Sequence, residues 1–298
     1  MTTTIVRRLH RAVPFLFAVA VVFGFGGAHH THFPSIGKVS TVAPTPVVEH
    51  PISDEYVRAY VLAHEGPALA ARMITRYHPE QDPRPAPVSY FPTPRTEQIW
   101  GGYITDVSGA FVHRVNGASG YFTAIWDNCT FFCPTVGTWA GIGGVNGSGH
   151  LAQTGLDNIA MRAWYEFYPP SPAQYLFSVN NGDSMYAKVQ WDAGTALWMI
   201  YVSDLSTGVY YSSEFSYDPD LTTAEWITEV TGGAVPAIGG IPFSSVRWYD
   251  ENNYSRTVSN GAQIVWQTTL RDPSGGCVVP TGLNFDDTFT NNTTSGGC

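Results

Sequence analysis

From residue 96 onward the chain is a succession of short apolar or aromatic runs, each closed by Gly, Asn, Asp or Ser. IWGGYIT, GYFTAIW, TWAGIGG, MRAWYEFYP, SMYAKVQW, TALWMIYVSD, AEWITEV and QIVWQTTL are examples. None sustains a 3.6-residue apolar period, and the frequent turn signals predict all-β, antiparallel architecture. About 200 residues of this texture predict a large sandwich of two antiparallel sheets rather than a small barrel. The 298-residue chain is 44% hydrophobic and 14% aromatic, enough to bury one sizeable core.

Side chains alternate along a strand, so faces can be assigned. In AWYEFYP, Trp164, Glu166 and Tyr168 share one face and Tyr165 and Phe167 the other. In AEWITEV, Glu225, Ile227 and Glu229 lie opposite Ala224, Trp226 and Thr228. Each strand sets carboxyls beside apolar groups, where partial desolvation raises a carboxyl pKa and marks a site candidate. Glu166, flanked by aromatics, is expected to be at least half buried, as a cleft residue or a structural acceptor. Glu229 also fits a plainer role, an edge-strand carboxylate paired with Arg247. Trp139 suits a cleft lining, and Trp100 and Trp164 suit cleft or core equally.

The N-terminus orders Arg7, Arg8 and Arg11, an uncharged apolar run over 12–25, then Gly26, Gly27 and Ala28. That is the layout of a secretory signal, residues 1–28, cleaved near Ala28. The run is short for a membrane span, and no later segment resembles one. A secreted, extracellular product is expected.

Residues 29–95 are rich in Pro and His and read as a linker or pro-segment with one helix near 54–77. The flanking stretches, TVAPTPVVEHP among them, are expected to lack regular structure, because proline removes donors and restricts its neighbour. His29, His30 and His32 form a weak metal motif, and the region's six histidines suit a pH-sensitive clasp. A solvated tail explains them more simply, and no metal or cofactor is expected.

Residues 96–298 then form the sandwich domain. They carry 18 Asp and Glu against six Lys and Arg, which argues against nucleic acid or an anionic membrane as partner. Few bases also limit self-repulsion at low pH, a composition that suits work in acid and neutral secreted domains alike. Cys129 with Cys133, and Cys277 with Cys298, are read as two local disulfides, since the Cys129 motif has no matching set for zinc. A monomer is expected.

Seven blocks, in order, resemble the glutamic peptidases, or eqolisins: Trp100-Gly101-Gly102-Tyr103, Trp139-Ala140-Gly141-Ile142-Gly143-Gly144, Leu151-Ala152-Gln153-Thr154-Gly155, Ala163-Trp164-Tyr165-Glu166-Phe167-Tyr168-Pro169, Asn181-Gly182-Asp183, Ala224-Glu225-Trp226-Ile227-Thr228-Glu229 and Ile241-Pro242-Phe243. The resemblance implies a lectin-like (concanavalin-like) sandwich made with a signal and a pro-segment, and acid endopeptidase activity on polypeptides without a cofactor. It places the catalytic glutamine at Gln153 and the catalytic glutamate at Glu229, with Glu166, Trp139, Trp164 and Trp100 in supporting or substrate-binding roles. Many members carry Asp where this chain has Gly143, so a polar neighbour is missing. From Glu251 onward the blocks cease.

Peptide hydrolysis needs a base for water, a donor for the oxyanion and an acid for the leaving amine. A carboxyl and an amide can divide these tasks. Two other readings use the same residues. One is a lectin-like carbohydrate-binding module with aromatic platforms. The other is a glycoside hydrolase pairing Glu166 with Glu225 or Glu229. Against both stands Gln153 where a second acid would be expected, a good oxyanion donor but a poor acid.

Overall fold

The computed structural model describes residues 47–78, 99–108, 114–127, 129, 133–145 and 149–297, all within one compact unit, Ala43–Cys298. The expected signal, His29, His30 and His32, and Cys298 lie outside the described residues. Four elements precede the sandwich: β1 (Val48–His50), α1 (Asp54–His64), α2 (Pro67–Ala70) and β2 (Thr75–Arg76). The rest is strand and turn: β3 (Trp100–Asp106), β4 (Gly117–Thr123), β5 (Thr135–Gly143), β6 (Leu151–Asp157), β7 (Arg162–Tyr168), β8 (Gln174–Ser178), β9 (Ser184–Asp192), β10 (Leu197–Asp204), β11 (Val209–Ser216), β12 (Thr223–Thr231), β13 (Gly239–Tyr249), β14 (Ser255–Arg256), β15 (Ile264–Thr268), β16 (Leu270–Arg271), β17 (Cys277–Pro280) and β18 (Phe289–Thr294).

These strands make two sheets, as the pattern predicts. The seven-stranded sheet runs β15-β3-β12-β5-β6-β7-β8 and the eleven-stranded sheet β1-β11-β10-β9-β4-β13-β18-β17-β16, with β2 and β14 attached to β11 and β13. Every pairing is antiparallel except that of β2 with β11. Trp226, Phe167, Phe215, Ile200, Val189 and Phe243 fill the space between the sheets. Trp226 also donates its indole N–H to the Ser119 carbonyl on β4 at 2.8 Å, tying the two sheets together.

The seven-stranded sheet is apolar on its second face too, where Trp100, Ile104, Trp139, Leu151, Trp164 and Ile227 cluster. Every residue of β3, β6 and β12 is buried. Over these central strands both faces of the sheet are therefore dry, which decides how the carboxyls there behave, whereas β15 and the ends of β8 reach solvent.

The expected helix over 54–77 is formed only in its first half. Ser53 caps α1 by accepting from the Tyr56 N–H, and Asp54 and Glu55 sit in its first turn. Gly66 at φ +87° then breaks the chain before Pro67 opens α2. The TVAPTPVVEHP stretch was expected to be irregular, yet Val48–His50 forms β1. It pairs at a sheet edge, where the missing donors of nearby prolines leave no ladder bond unmade.

Cys129 and Cys133 form a disulfide, and Cys277 is disulfide-bonded as well. No helix among the described residues is long and apolar enough to cross a membrane. Truncating Trp226 to Ala removes both a fully buried indole and the inter-sheet hydrogen bond. Denaturant unfolding should show a loss of about 3–5 kcal/mol.

Candidate active site

β12, β5, β6 and β7 are consecutive neighbours, and their register fixes the site. Glu225, Gly141, Gln153 and Glu166 stand in one row across the sheet. Ile227, Trp139, Gly155 and Trp164 form the next, and Glu229 follows beside Trp100 and Gly137. The alternation read for AWYEFYP and AEWITEV holds: Trp164 and Ile227 lie in the outer cluster, whereas Phe167, Ala224 and Trp226 face the inter-sheet core.

Glu229 is 1% exposed. It lies on an interior strand between β3 and β5, and Arg247 pairs with Asp287 instead, so the edge-strand reading fails on topology. Trp139 donates its indole N–H to Glu229 Oε2 at 3.1 Å, and Trp100 packs edge-on against Trp139 with ring centroids 4.9 Å apart. The Trp100 indole N–H points to the same carboxyl strongly enough to stabilise its charge without closing a hydrogen bond. Trp100, Trp139 and Trp164 thus belong to the site face and not to the inter-sheet core.

Gln153 donates Nε2–H to Glu166 Oε2 at 2.7 Å, directly across the β6–β7 pair. Its Oε1 has no hydrogen-bond partner among the described residues. Glu166 accepts a second bond from the Ala173 backbone N–H. Glu225 is fully buried, and both its oxygens lack a formed hydrogen bond among the described residues.

These environments shift all three carboxyls upward. Burial, the largest cause, and then the nearby Glu166 charge push Glu229 up to about 8, against the indole donors of Trp139 and Trp100. Burial pushes Glu166 up to about 8 against its bonds from Gln153 and Ala173. Burial also holds Glu225 well above the ordinary carboxyl range, reinforced by Asp220 and Asp106. The Glu166 charge acts on Glu229, so the Gln153–Glu166 pair and the Trp139–Glu229 pair form one electrostatic unit. Ionising Glu229 in this setting costs roughly 5 kcal/mol relative to water.

Two features of the site escape sequence reading, and a third, Gly143, takes a physical reason that the sequence does not show. Gly141 carries no side chain, and a Cβ there would meet Trp139 Cζ3 and Gln153 Cβ at 3.0 Å. Its bareness lets the indole lean across the row. The Ala173 N–H is a backbone donor that no side-chain pattern announces. Gly143 sits at φ +87°, and a Cβ there would fall 2.3 Å from the His150 carbonyl and 2.8 Å from the Asp220 carbonyl. A polar side chain at 143 therefore has no room here, because the Asp220–His150 backbone bond at 3.0 Å runs where it would stand.

A cavity of about 450 Å³ lined by Ile99, Val230, Leu270 and Arg271 flanks the end of β12 without containing Glu229. The described residues hold no cluster of His, Cys, Asp and Glu able to bind a metal ion.

A two-sheet β-sandwich carrying a buried carboxyl and an amide on one sheet face is the class of molecule defined so far. The Peptidase A4 family model matches residues 98–269, and the chain belongs to that family. It is a glutamic endopeptidase, and its substrates are polypeptides. The match continues past Glu251, where the recognisable blocks end, as far as β15.

Solved structures agree on the fold. Scytalido-glutamic peptidase with a transition state analog inhibitor superposes with a TM-score of 0.54 at 18% identity, over 66% of this chain and 99% of that one. SCP-B, an eqolisin in complex with the tripeptide Ala-Ile-His, gives 0.51 at 16% identity over the same shares. No curated protein matches the chain by sequence.

Raised carboxyls have a thermodynamic signature. Between about pH 4.5 and 8 the folded state holds protons on Glu166 and Glu229 that the unfolded state has released, so stability falls as pH rises through that window. Melting midpoints should decline steadily from pH 5 to pH 8, and Glu225→Gln should reduce the slope. Gly143→Asp should lower the midpoint at every pH, because strain and not charge opposes it.

Proposed function

We propose that Glu229 and Gln153 are the catalytic pair of this peptidase and that Glu166 positions Gln153. The supporting observation is the electrostatic unit itself: Glu229 held by Trp139, Gln153 held by Glu166, and the two carboxyls sensing each other across one buried face. In its ionised form Glu229 takes a proton from water as the water oxygen bonds to the scissile carbonyl carbon. The carbonyl oxygen becomes an oxyanion, and the second Nε2–H of Gln153 donates to it. The oxyanion then collapses, the C–N bond breaks, and Glu229 returns its proton to the departing amine.

Glu166 contributes most when protonated. A neutral carboxyl accepts from Gln153 Nε2 and donates its own O–H to the otherwise unpartnered Oε1. That paired arrangement locks the amide plane with one N–H left facing outward. Protonation at acidic pH follows from the rise of Glu166 to about 8.

Acid operation is part of this reading and places a condition on Glu229. In the dry site it keeps its proton below about pH 8. Admission of water lessens the desolvation that is the chief cause of the rise, giving the carboxylate at lower pH. Trp139, Trp164 and Trp100 supply the apolar wall. Export is proposed from the basic and apolar order of residues 1–28, and action as a monomer without nucleic acid from the acidic sandwich.

Glu229→Gln should abolish cleavage of a denatured protein at acidic pH while the far-ultraviolet dichroism stays unchanged. Gln153→Ala should lower kcat by about 10²- to 10³-fold with a smaller effect on KM. Full activity in either folded variant refutes the assignment. Glycan binding that survives in both, with no proteolysis by the wild type, would favour the carbohydrate-binding reading.

A further inference from the structure

The outer face of the eleven-stranded sheet is covered over β9, β10 and β11 by residues 47–78. β1 pairs with β11 along Glu214–Ser216, and β2 pairs with it at Val209 and Tyr210. Between these anchors α1 and α2 cross the sheet. Val57, Val61, Leu69 and Met73 pack there against Tyr186, Tyr201 and Tyr210.

At the centre lies Lys188 of β9, 2% exposed. Its ammonium donates to Glu65, and Tyr249 donates its hydroxyl to the same carboxylate at 3.0 Å. The rings of Tyr60 and Tyr249 flank the charge at 5.4 and 4.5 Å. Tyr56 donates to Asp192 on the same strand, and Arg76 donates to the Ser212 carbonyl at 2.6 Å.

The Peptidase A4 match begins at residue 98, so this cover lies outside the part of the chain that defines the family. Stripping it away would leave Lys188 without its carboxylate, a tyrosine-rich apolar face open to water, and β11 as a bare sheet edge. Opening that apolar surface to water forfeits the free energy of its burial, and an uncovered edge strand invites aggregation. A segment with these contacts is part of the fold.

We propose that residues 47–78 are a permanent piece of the mature enzyme and are not shed with the leader. When one peptide bond between residue 78 and β3 is hydrolysed, with water supplying the hydroxyl of the new carboxyl end and a proton to the new amine, the piece stays bound. The working enzyme is then a noncovalent complex of two chains, locked by the Glu65–Lys188 pair. The identity of the catalytic residues enters only through the silencing of self-cleavage in the variant used to test it.

The test uses the full chain carrying Glu229→Gln, to silence self-cleavage, with a site-specific protease sequence inserted after residue 78. After cutting, the 47–78 piece should co-elute with the sandwich on size exclusion at acidic and neutral pH, as identified by intact mass, and the melting midpoint should move little. Dissociation of the piece under native conditions at either pH overturns the proposal. Glu65→Ala should lower the uncut midpoint by about 10 °C and release the piece at least tenfold more readily once cut. A further readout needs no variant: mass spectrometry of wild-type secreted, active enzyme should recover a fragment containing 47–78, and active sandwich without it is the contrary result.

Discussion

Burial of the central strands of the seven-stranded sheet on both faces is the constraint from which the site follows. A one-faced antiparallel sheet would turn Glu225, Glu229, Gln153 and Glu166 toward water, where carboxyls ionise freely and an amide has no fixed orientation. Here Trp100, Trp139 and Trp164 exclude water from that face. Each polar group must take a protein partner or, for an acid, keep its proton. The same desolvation makes the site reactive and costs stability as pH rises.

Charge placement sharpens the contrast between the sheets. On the outer face of the eleven-stranded sheet, buried Lys188 meets Glu65 and the two charges cancel. On the site face, the forces lowering the pKa values of Glu166 and Glu229 are hydrogen bonds from Gln153, the Ala173 backbone and the Trp139 indole together with the nearby Trp100 N–H, with no Lys or Arg contribution. A cation beside Glu229 would hold it as carboxylate and remove its capacity to protonate an amine. Neutral donors orient the carboxyl and leave its proton exchangeable, as a group that acts first as base and then as acid requires.

The two-residue period exposed the facing of Glu166 and Glu229, because strand alternation is local and strong. The sandwich class followed from the same signal together with turn spacing. Gln153 was different: a glutamine in LAQTG carries no periodic or charge signature, and only block order pointed to it. Whether β12 was an edge or an interior strand was invisible, since sheet order is set by non-local pairing, and the Arg247 reading of Glu229 failed for that reason. Val48–His50 was misjudged because proline arithmetic assumes that a strand needs partners on both sides. The Lys188–Glu65 pair spans more than a hundred residues and left no trace in the sequence pattern.

Gly143 shows how a neighbouring backbone can exclude a side chain that a family pattern expects. An Asp after the Ile of the tryptophan block would project into space that the Asp220 backbone occupies here. Glu225, two strands from Gln153 in the same row, instead feels the charges of Asp220 and Asp106, which add to the burial raising its pKa. Acidic character at this corner thus comes from the β11–β12 connection and the end of β3, not from β5. A second acid at 143 would crowd a region that already cannot ionise Glu225, so glycine here is a requirement of the neighbouring loop as much as the loss of a side chain.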